Sequence, residues 1–148
     1  RQLMQLYLYD FSEFTGDDLP EDGLFSYPYL ERYWDEPGRY PMLLRKDGKV
    51  AGFVLVRITR EADGSEIHHI AEFFVLRKYR RQKVGQAAAW MAFDYFPGKW
   101  RVFEIPENLP AQAFWRRVIN EYTHGAFCEE PDAEDGGPVQ TFSNTSSQ

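Results

Sequence analysis

The sequence predicts an α/β fold of the α+β kind: a mixed, mostly antiparallel central sheet flanked by helices, in a single domain over residues 1–148. Three observations carry that expectation. The run YPMLLRKDGKVAGFVLVRITR sets two β-type segments around Asp47-Gly48, and an Asp-Gly pair supplies the positive φ that a tight hairpin needs. Segments of helical and of strand period then alternate along the chain. Finally, 148 residues with 43% hydrophobic and 17% aromatic content can bury one sizeable core, and the length gives no reason to expect two.

Residues 1–14 repeat apolar side chains at Met4, Leu8 and Phe11 and at Tyr7, Phe11 and Phe14, which is the spacing of an amphipathic helix. Thr15 to Gly38 is a long connection rich in Gly, Pro, acids and aromatics, with a helical turn around Tyr29 to Trp34. After the hairpin and a turn at Ala62 to Ser65, EIHHIAEFFVLRKY reads as a third strand. Period two puts His68, Ile70, Glu72, Phe74 and Leu76 on one face and Ile67, His69, Ala71, Phe73 and Val75 on the other. A helix follows from about Lys83 to Phe96, with Val84, Ala88, Met91 and Tyr95 as its apolar stripe, and Pro97-Gly98 stops it. WRVFEI is a short strand. Asn108 caps a further helix with Pro110 in its first turn and Ala111, Phe114, Trp115, Val118 and Ile119 on one face. Two last strands, around Ala126 to Glu130 and Val139 to Ser143, flank the acidic connection PDAEDGGP, and the tail SNTSSQ is expected to fray.

Composition removes several function classes. The one cysteine, Cys128, excludes an internal disulfide framework and a Cys-rich metal site, and reads as a small buried hydrophobe in a reducing cytoplasmic setting. No apolar run approaches the roughly 20 residues that span a bilayer, so no membrane partner is expected. His69 and His124 read as structural; with no third grouped ligand, no metal site is expected. A net charge of −6 argues against a nucleic-acid surface. Yet five of the 17 Lys and Arg fall in residues 77–83, and no acid occurs between Glu72 and Asp94. That distribution marks a local anion site.

The site has a physical form. A strand ends in a short basic loop, and the loop opens a helix whose unpaired N–H groups and dipole suit a phosphate. Gly85 permits close approach, Ala87 to Ala89 let the helix sit near the sheet, and Arg80, Arg81 and Lys83 add charge. The combination predicts a pyrophosphate; a plain solvated basic surface is the competing reading.

FFVLRKYRRQKVGQAAA resembles the acyl-CoA-binding motif of the GNAT superfamily of N-acyltransferases, on Val75, Tyr79, Arg80 and Gly85, with Lys83 standing where the family has a glycine. ENLPAQAFW resembles the family's later strand-to-helix segment through Asn108, Ala111 and Phe114. The resemblance covers about residues 40–130. Against the family order the chain lacks the first strand, so residues ahead of Arg1 are expected to be absent.

The resemblance implies acetyl-CoA as cofactor and direct attack by a primary amine. It assigns the pyrophosphate to Arg80, Arg81, Gln82, Lys83, Val84, Gly85 and Gln86, the pantetheine arm to Phe74 and Val75, and its border to Asn108 and Trp115. The amide of Phe73 or Phe74 is the expected oxyanion donor. Glu72 is the candidate base, or else a strand-face acid that binds a substrate cation or pairs with an arginine. His68, roughly 13 Å back along the strand at ~3.3 Å per residue, is a weaker alternative. Where the family usually has a tyrosine acid stands Trp115, which donates no proton at neutral pH; Tyr122 or Tyr79 takes the role, or the thiol leaves unaided. Tyr7, Asp10, Tyr27 and Tyr29 are the expected acceptor-side residues, suited to a cationic amine on a small molecule or peptide. The family leaves room for a homodimer. A non-catalytic acyl-CoA-binding or regulatory module is the rival reading, favoured by Lys83 and Trp115. Arg80→Ala is expected to weaken coenzyme A binding by about 1.5–3 kcal/mol, the worth of a charged phosphate contact, as read by calorimetric titration.

Overall fold

In the computed structural model, which describes residues 1–145, the Asp47-Gly48 turn joins β1 (Arg39–Lys46) to β2 (Lys49–Arg60), with φ of 51° and 78° at its two central residues. These left-handed values are those of the tight hairpin. β2 turns into β3 (Glu66–Val75), which pairs parallel with β4 (Lys99–Phe103); β5 (Cys128–Pro131) and β6 (Pro138–Ser143) complete the sheet. The strand order is β1-β2-β3-β4-β6-β5, and every neighbouring pair except β3/β4 is antiparallel. No helix among the described residues is long and apolar enough to cross a membrane.

Among the described residues four α-helices pack on the two faces. α1 (Gln2–Thr15) and the single turn α2 (Arg32–Asp35) lie on one; α3 (Val84–Tyr95) and α4 (Leu109–Thr123) lie on the other. The larger core sits under α3 and α4, where Phe93, Trp100, Val118 and Ile119 are fully buried with Val54, Val56 and Val102. α4 uses the stripe read from its sequence, and Asn108 caps it by accepting from the Ala111 amide at 3.1 Å. α3 uses half of its expected stripe, Val84 and Ala88. It buries Ala88, Ala89, Ala92 and Phe93, while Met91 and Tyr95 are exposed, because the small side chains bring this helix against the sheet. Cys128, expected inside, is exposed on the edge strand β5. Asn144 is tied down, donating to Phe93 O at 2.7 Å and accepting from the Gly98 amide at 2.7 Å. The rest of the expected fraying tail, 146–148, lies outside the described residues.

The period-two reading of the third strand fails at one place. Leu55 pairs with Glu72 but Val56 pairs with Ile70, so Ala71 is an extra residue, a β-bulge. An extra residue exchanges the faces of everything after it. Phe73 and Val75 therefore join Ile70 in the α3/α4 core, and Glu72 and Phe74 turn toward α1 with His69. His68 does not share a face with Glu72. It is buried, stacks on Trp100 at 5.2 Å and bonds to Lys99 O at 3.0 Å, which makes it structural. The strand also ends earlier than expected: Leu76 donates to Ala51 O at 2.7 Å, and residues 77–79 then form a 3-10 turn that buries Tyr79.

Glu104, just past β4, is 6% exposed. Its Oε1 accepts from Gln140 Nε2 at 3.0 Å, while Glu104 Oε2 and Gln140 Oε1 have no partner among the described residues. Burial, with a lesser push from Glu129, raises its pKa to about 8, against the bond from Gln140 and the charge of Arg116. The folded state then keeps this proton at pH values where the unfolded chain has released it. Its contribution is thus most favourable below the usual carboxylate range and worsens as pH rises to about 8. Glu104→Gln is expected to raise stability at pH 9 by several kcal/mol, on the order of the linkage energy, and to change it little at pH 4. Denaturant titration at the two pH values checks it.

Candidate active site

β3 and β4 pair only through Ile67, His68 and His69 opposite Lys99, Trp100 and Arg101. Beyond that point they part: β4 follows β6 as far as Phe103, and β3 follows β2 as far as Val75. The carbonyl of Phe74 faces Gly52 so closely that a Cβ there would lie 1.9 Å from it, and the next amide on that side, Leu76, serves Ala51. Backbone groups of successive strand residues point to opposite edges, so Phe73 and Val75 direct theirs to the side β4 has left. Of the two expected oxyanion donors, Phe73 faces the opening and Phe74 is committed to β2. The Val75 carbonyl accepts from Arg80 Nε at 2.9 Å.

The basic loop reaches α3 through two residues with left-handed backbone, Arg81 (φ 64°) and Lys83 (φ 60°). Lys83 thus takes the conformation a glycine adopts freely, and the departure in sequence is absorbed by the backbone. The first intrahelical bond is Ala87 N to Lys83 O at 3.0 Å, which leaves the amides of Val84, Gly85 and Gln86 ahead of it, and no side chain caps them. Gly85 also packs closely: a Cβ would stand 3.1 Å from the Phe114 ring, which would have to shift to admit it. Gln82 folds back on Lys78 O at 2.9 Å, and Asn108 spends its side-chain oxygen on the α4 cap. Trp115 is a core residue, 4.9 Å from the rings of Phe73 and Phe114. Tyr122 donates to Asp94 at 2.6 Å, near the C-terminus of α3.

On the other face α1 and the following connection close over Glu72. Tyr7 donates to Glu72 Oε2, and Tyr27 donates to Oε1 at 3.2 Å. Burial raises the Glu72 pKa against the opposing pull of these two hydroxyls, and burial together with the carboxylate raises both tyrosines further. Phe53 and Phe74 flank Tyr7 edge-on at 5.6 and 5.7 Å. Asp10, one turn along α1, is not free for an acceptor: it receives Arg77 at 3.2 Å and Arg80 at 3.0 Å, fastening α1 to the basic loop. Tyr29 is half exposed, its ring set edge-on to Tyr27 and covered by the Arg32 guanidinium at 4.9 Å.

The bulge places one more group on this face. Arg39, Arg57, His69 and Arg101 are consecutive partners across four strands, and directly paired residues share a face. His69 bonds to Thr59 Oγ1 at 2.8 Å, and burial, then Arg101 and Arg57, hold its pKa down at about 4. This row escaped the sequence because it exists only once strand pairing and the bulge are fixed.

The acetyltransferase (GNAT) family model matches residues 3–119. The chain belongs to the GNAT acetyltransferase family. Solved structures agree on the fold of this GNAT chain. It is similar to an acetyltransferase from Thermus thermophilus at TM-score 0.65 and 14% identity, covering 96% of this chain and 90% of that one. It is similar to the ribosomal-protein-S18-alanine N-acetyltransferase of Escherichia coli at 0.57 and 13%, covering 93% and 88%. For Arabidopsis thaliana NAA60 in complex with a bisubstrate analogue the values are 0.56 and 14%, covering 95% and 90%. No curated protein sequence matches it.

For a GNAT loop, two left-handed residues with side chains are a cost that glycine would remove. Lys83→Gly is expected to stabilise the fold by up to about 1 kcal/mol, a rise in Tm of roughly 2–4 °C by scanning calorimetry.

Proposed function

We propose that this chain, as a single acyltransferase domain, moves an acetyl group from acetyl-CoA to a primary amine by direct attack within a ternary complex. The observation that carries the reading is the adjacency of two unlike resources on consecutive residues. Glu72 offers a carboxylate on one face of β3, and Phe73 and Val75 offer backbone groups that no strand pairs at its open edge, the Val75 carbonyl being held by Arg80.

The residues fit acetyl-CoA. The amides of Val84, Gly85 and Gln86, with Arg81 and Lys83 beside them, are suited to hold the pyrophosphate. The backbone of Phe73 and Val75 is suited to the amide-bearing arm, with the Phe73 N–H placed to stabilise charge that develops on an acyl oxygen. Arg80 must release Val75 O for the arm to use it, so this arginine changes partners on binding. When bound, the coenzyme supplies an activated acyl group and a thiol leaving group.

Glu72 takes the proton of the attacking amine. Its raised pKa brings it toward that of the group it deprotonates, and Tyr7 and Tyr27 fix both its oxygens. The acceptor must displace at least one of these hydroxyls. A second reading, a module that binds acyl-CoA without turnover, is supported by the closed state of Glu72 and by Trp115 in place of a proton donor.

Thiol release with a broad panel of amines separates the two readings: turnover supports the enzyme, and binding without turnover supports the module. Glu72→Gln is expected to lower kcat by roughly 10²–10⁴ with coenzyme A affinity unchanged. Because the base must be ionised, wild-type kcat/KM is expected to rise with pH through a limb above the usual carboxylate range, and Glu72→Gln is expected to remove that limb.

A further inference from the structure

The cationic row beside Glu72 has no counterpart in the catalytic scheme. Arg39 and Arg57 are direct cross-strand partners, and like charges set opposite each other oppose strand pairing; Arg101 continues the row across neutral His69. The compensation available is partial. Arg39 meets Glu36 at 3.0 Å and lies over the Tyr33 ring at 5.4 Å. Glu61 is shared between Lys99 at 3.3 Å and Arg101 at 3.8 Å. Arg57 is exposed and has no ion-pair partner among the described residues. On this stretch of the face, five cations, Arg32, Arg39, Arg57, Lys99 and Arg101, stand against two acids, Glu36 and Glu61.

The row is on the acceptor side. Leu55 and Arg57 are two apart on β2 and share a face; Glu72 pairs with the first and His69 with the second. The carboxylate and the row are therefore separated along β3 by three residues that include the bulge, roughly 7–10 Å at ~3.3 Å each. A molecule placing an amine at Glu72 extends toward Arg57 and Arg101 within the length of a short aliphatic chain. His69, neutral between the two arginines, adds no charge of its own.

We infer that the acceptor carries an anionic group, carboxylate or phosphate, a few bonds from its primary amine, and that Arg57 and Arg101 bind that group while Glu72 receives the amine. The inference rests on the proposed acetyl transfer for the amine, and on the arginine row alone for the anion. Arg57 and Arg101 are specificity-determining residues here; they touch the acceptor away from the reacting nitrogen.

The experiment compares acceptors that differ only in charge: 6-aminohexanoate against 6-aminohexanamide, and 3-aminopropyl phosphate against 3-aminopropanol, in acetyl-CoA thiol release. The charged member of at least one pair is expected to show kcat/KM at least tenfold higher, and the pair that does so names the anion. Arg57→Gln is expected to bring that ratio toward one through KM, with Arg57→Lys recovering part of it. Equal kcat/KM within both pairs, or a ratio unmoved by Arg57→Gln, overturns the inference while the reaction stands. If no amine is consumed, the proposed reaction fails, and calorimetric titration of the coenzyme A-saturated protein with 6-aminohexanoate and 3-aminopropyl phosphate decides the anion site by itself. Binding weakened at least tenfold in Arg57→Gln upholds it; no binding, or equal binding in the variant, overturns it.

Discussion

β3 holds one residue more than its partner strand can match, and the organisation of the site follows from where that residue sits. With Ala71 unpaired, Glu72 leaves the face it would share with His68 and comes under α1, where Tyr7 and Tyr27 reach it. The same shift sends Phe73 and Val75 into the larger core by their side chains and toward the departing β4 by their backbone groups. Were β3 paired regularly, with Ala71 opposite Leu55, Glu72 would lie opposite Val54 and point into the α3/α4 core, an expensive place for a charge with no cation beside it. The bulge is thus what lets one strand present an acid on one face and backbone groups without a strand partner along its edge.

Charge is sorted over the molecule on the same scheme. The basic loop keeps three cations, Lys78, Arg81 and Lys83, apart from Asp10, which holds Arg77 and Arg80 against α1. The arginine row across β1, β2 and β4 lies on the other side of Glu72. The carboxylate stands between two positive regions without an ion pair to either, and its partners are neutral hydroxyls. That arrangement preserves a titratable acid: an arginine at hydrogen-bond distance would hold it ionised and make it a weak base.

Much of this was legible in the residues because the signals were local. The Asp-Gly hairpin, the Asn108 cap and the apolar face of α4 each depend on a few neighbouring side chains, and the basic run before Gly85 is visible to anyone counting charges. The failures share a cause. Period-two alternation cannot register a bulge, since the extra residue is set by how β2 and β3 dock, so the faces of Glu72 and His68 were misassigned. The later half of the α3 stripe, Met91 and Tyr95, was misplaced because docking turned Ala89, Ala92 and Phe93 to the sheet. Asp10 and the arginine row concern partners between 12 and 70 residues apart in sequence, beyond the reach of spacing.

The pairing of Asp10 with Arg80 makes α1 sensitive to what happens at the loop. Asp10 lies three residues from Tyr7 on the same helix, and Tyr7 is bonded to Glu72. A ligand that draws Arg80 away leaves Asp10 with Arg77 alone and loosens the helix that closes over the carboxylate. Thermodynamic reciprocity then applies: if filling the loop eases opening at Glu72, an occupant at Glu72 must tighten binding at the loop by the same factor. The two halves of the site would be felt as one equilibrium, joined by a single aspartate.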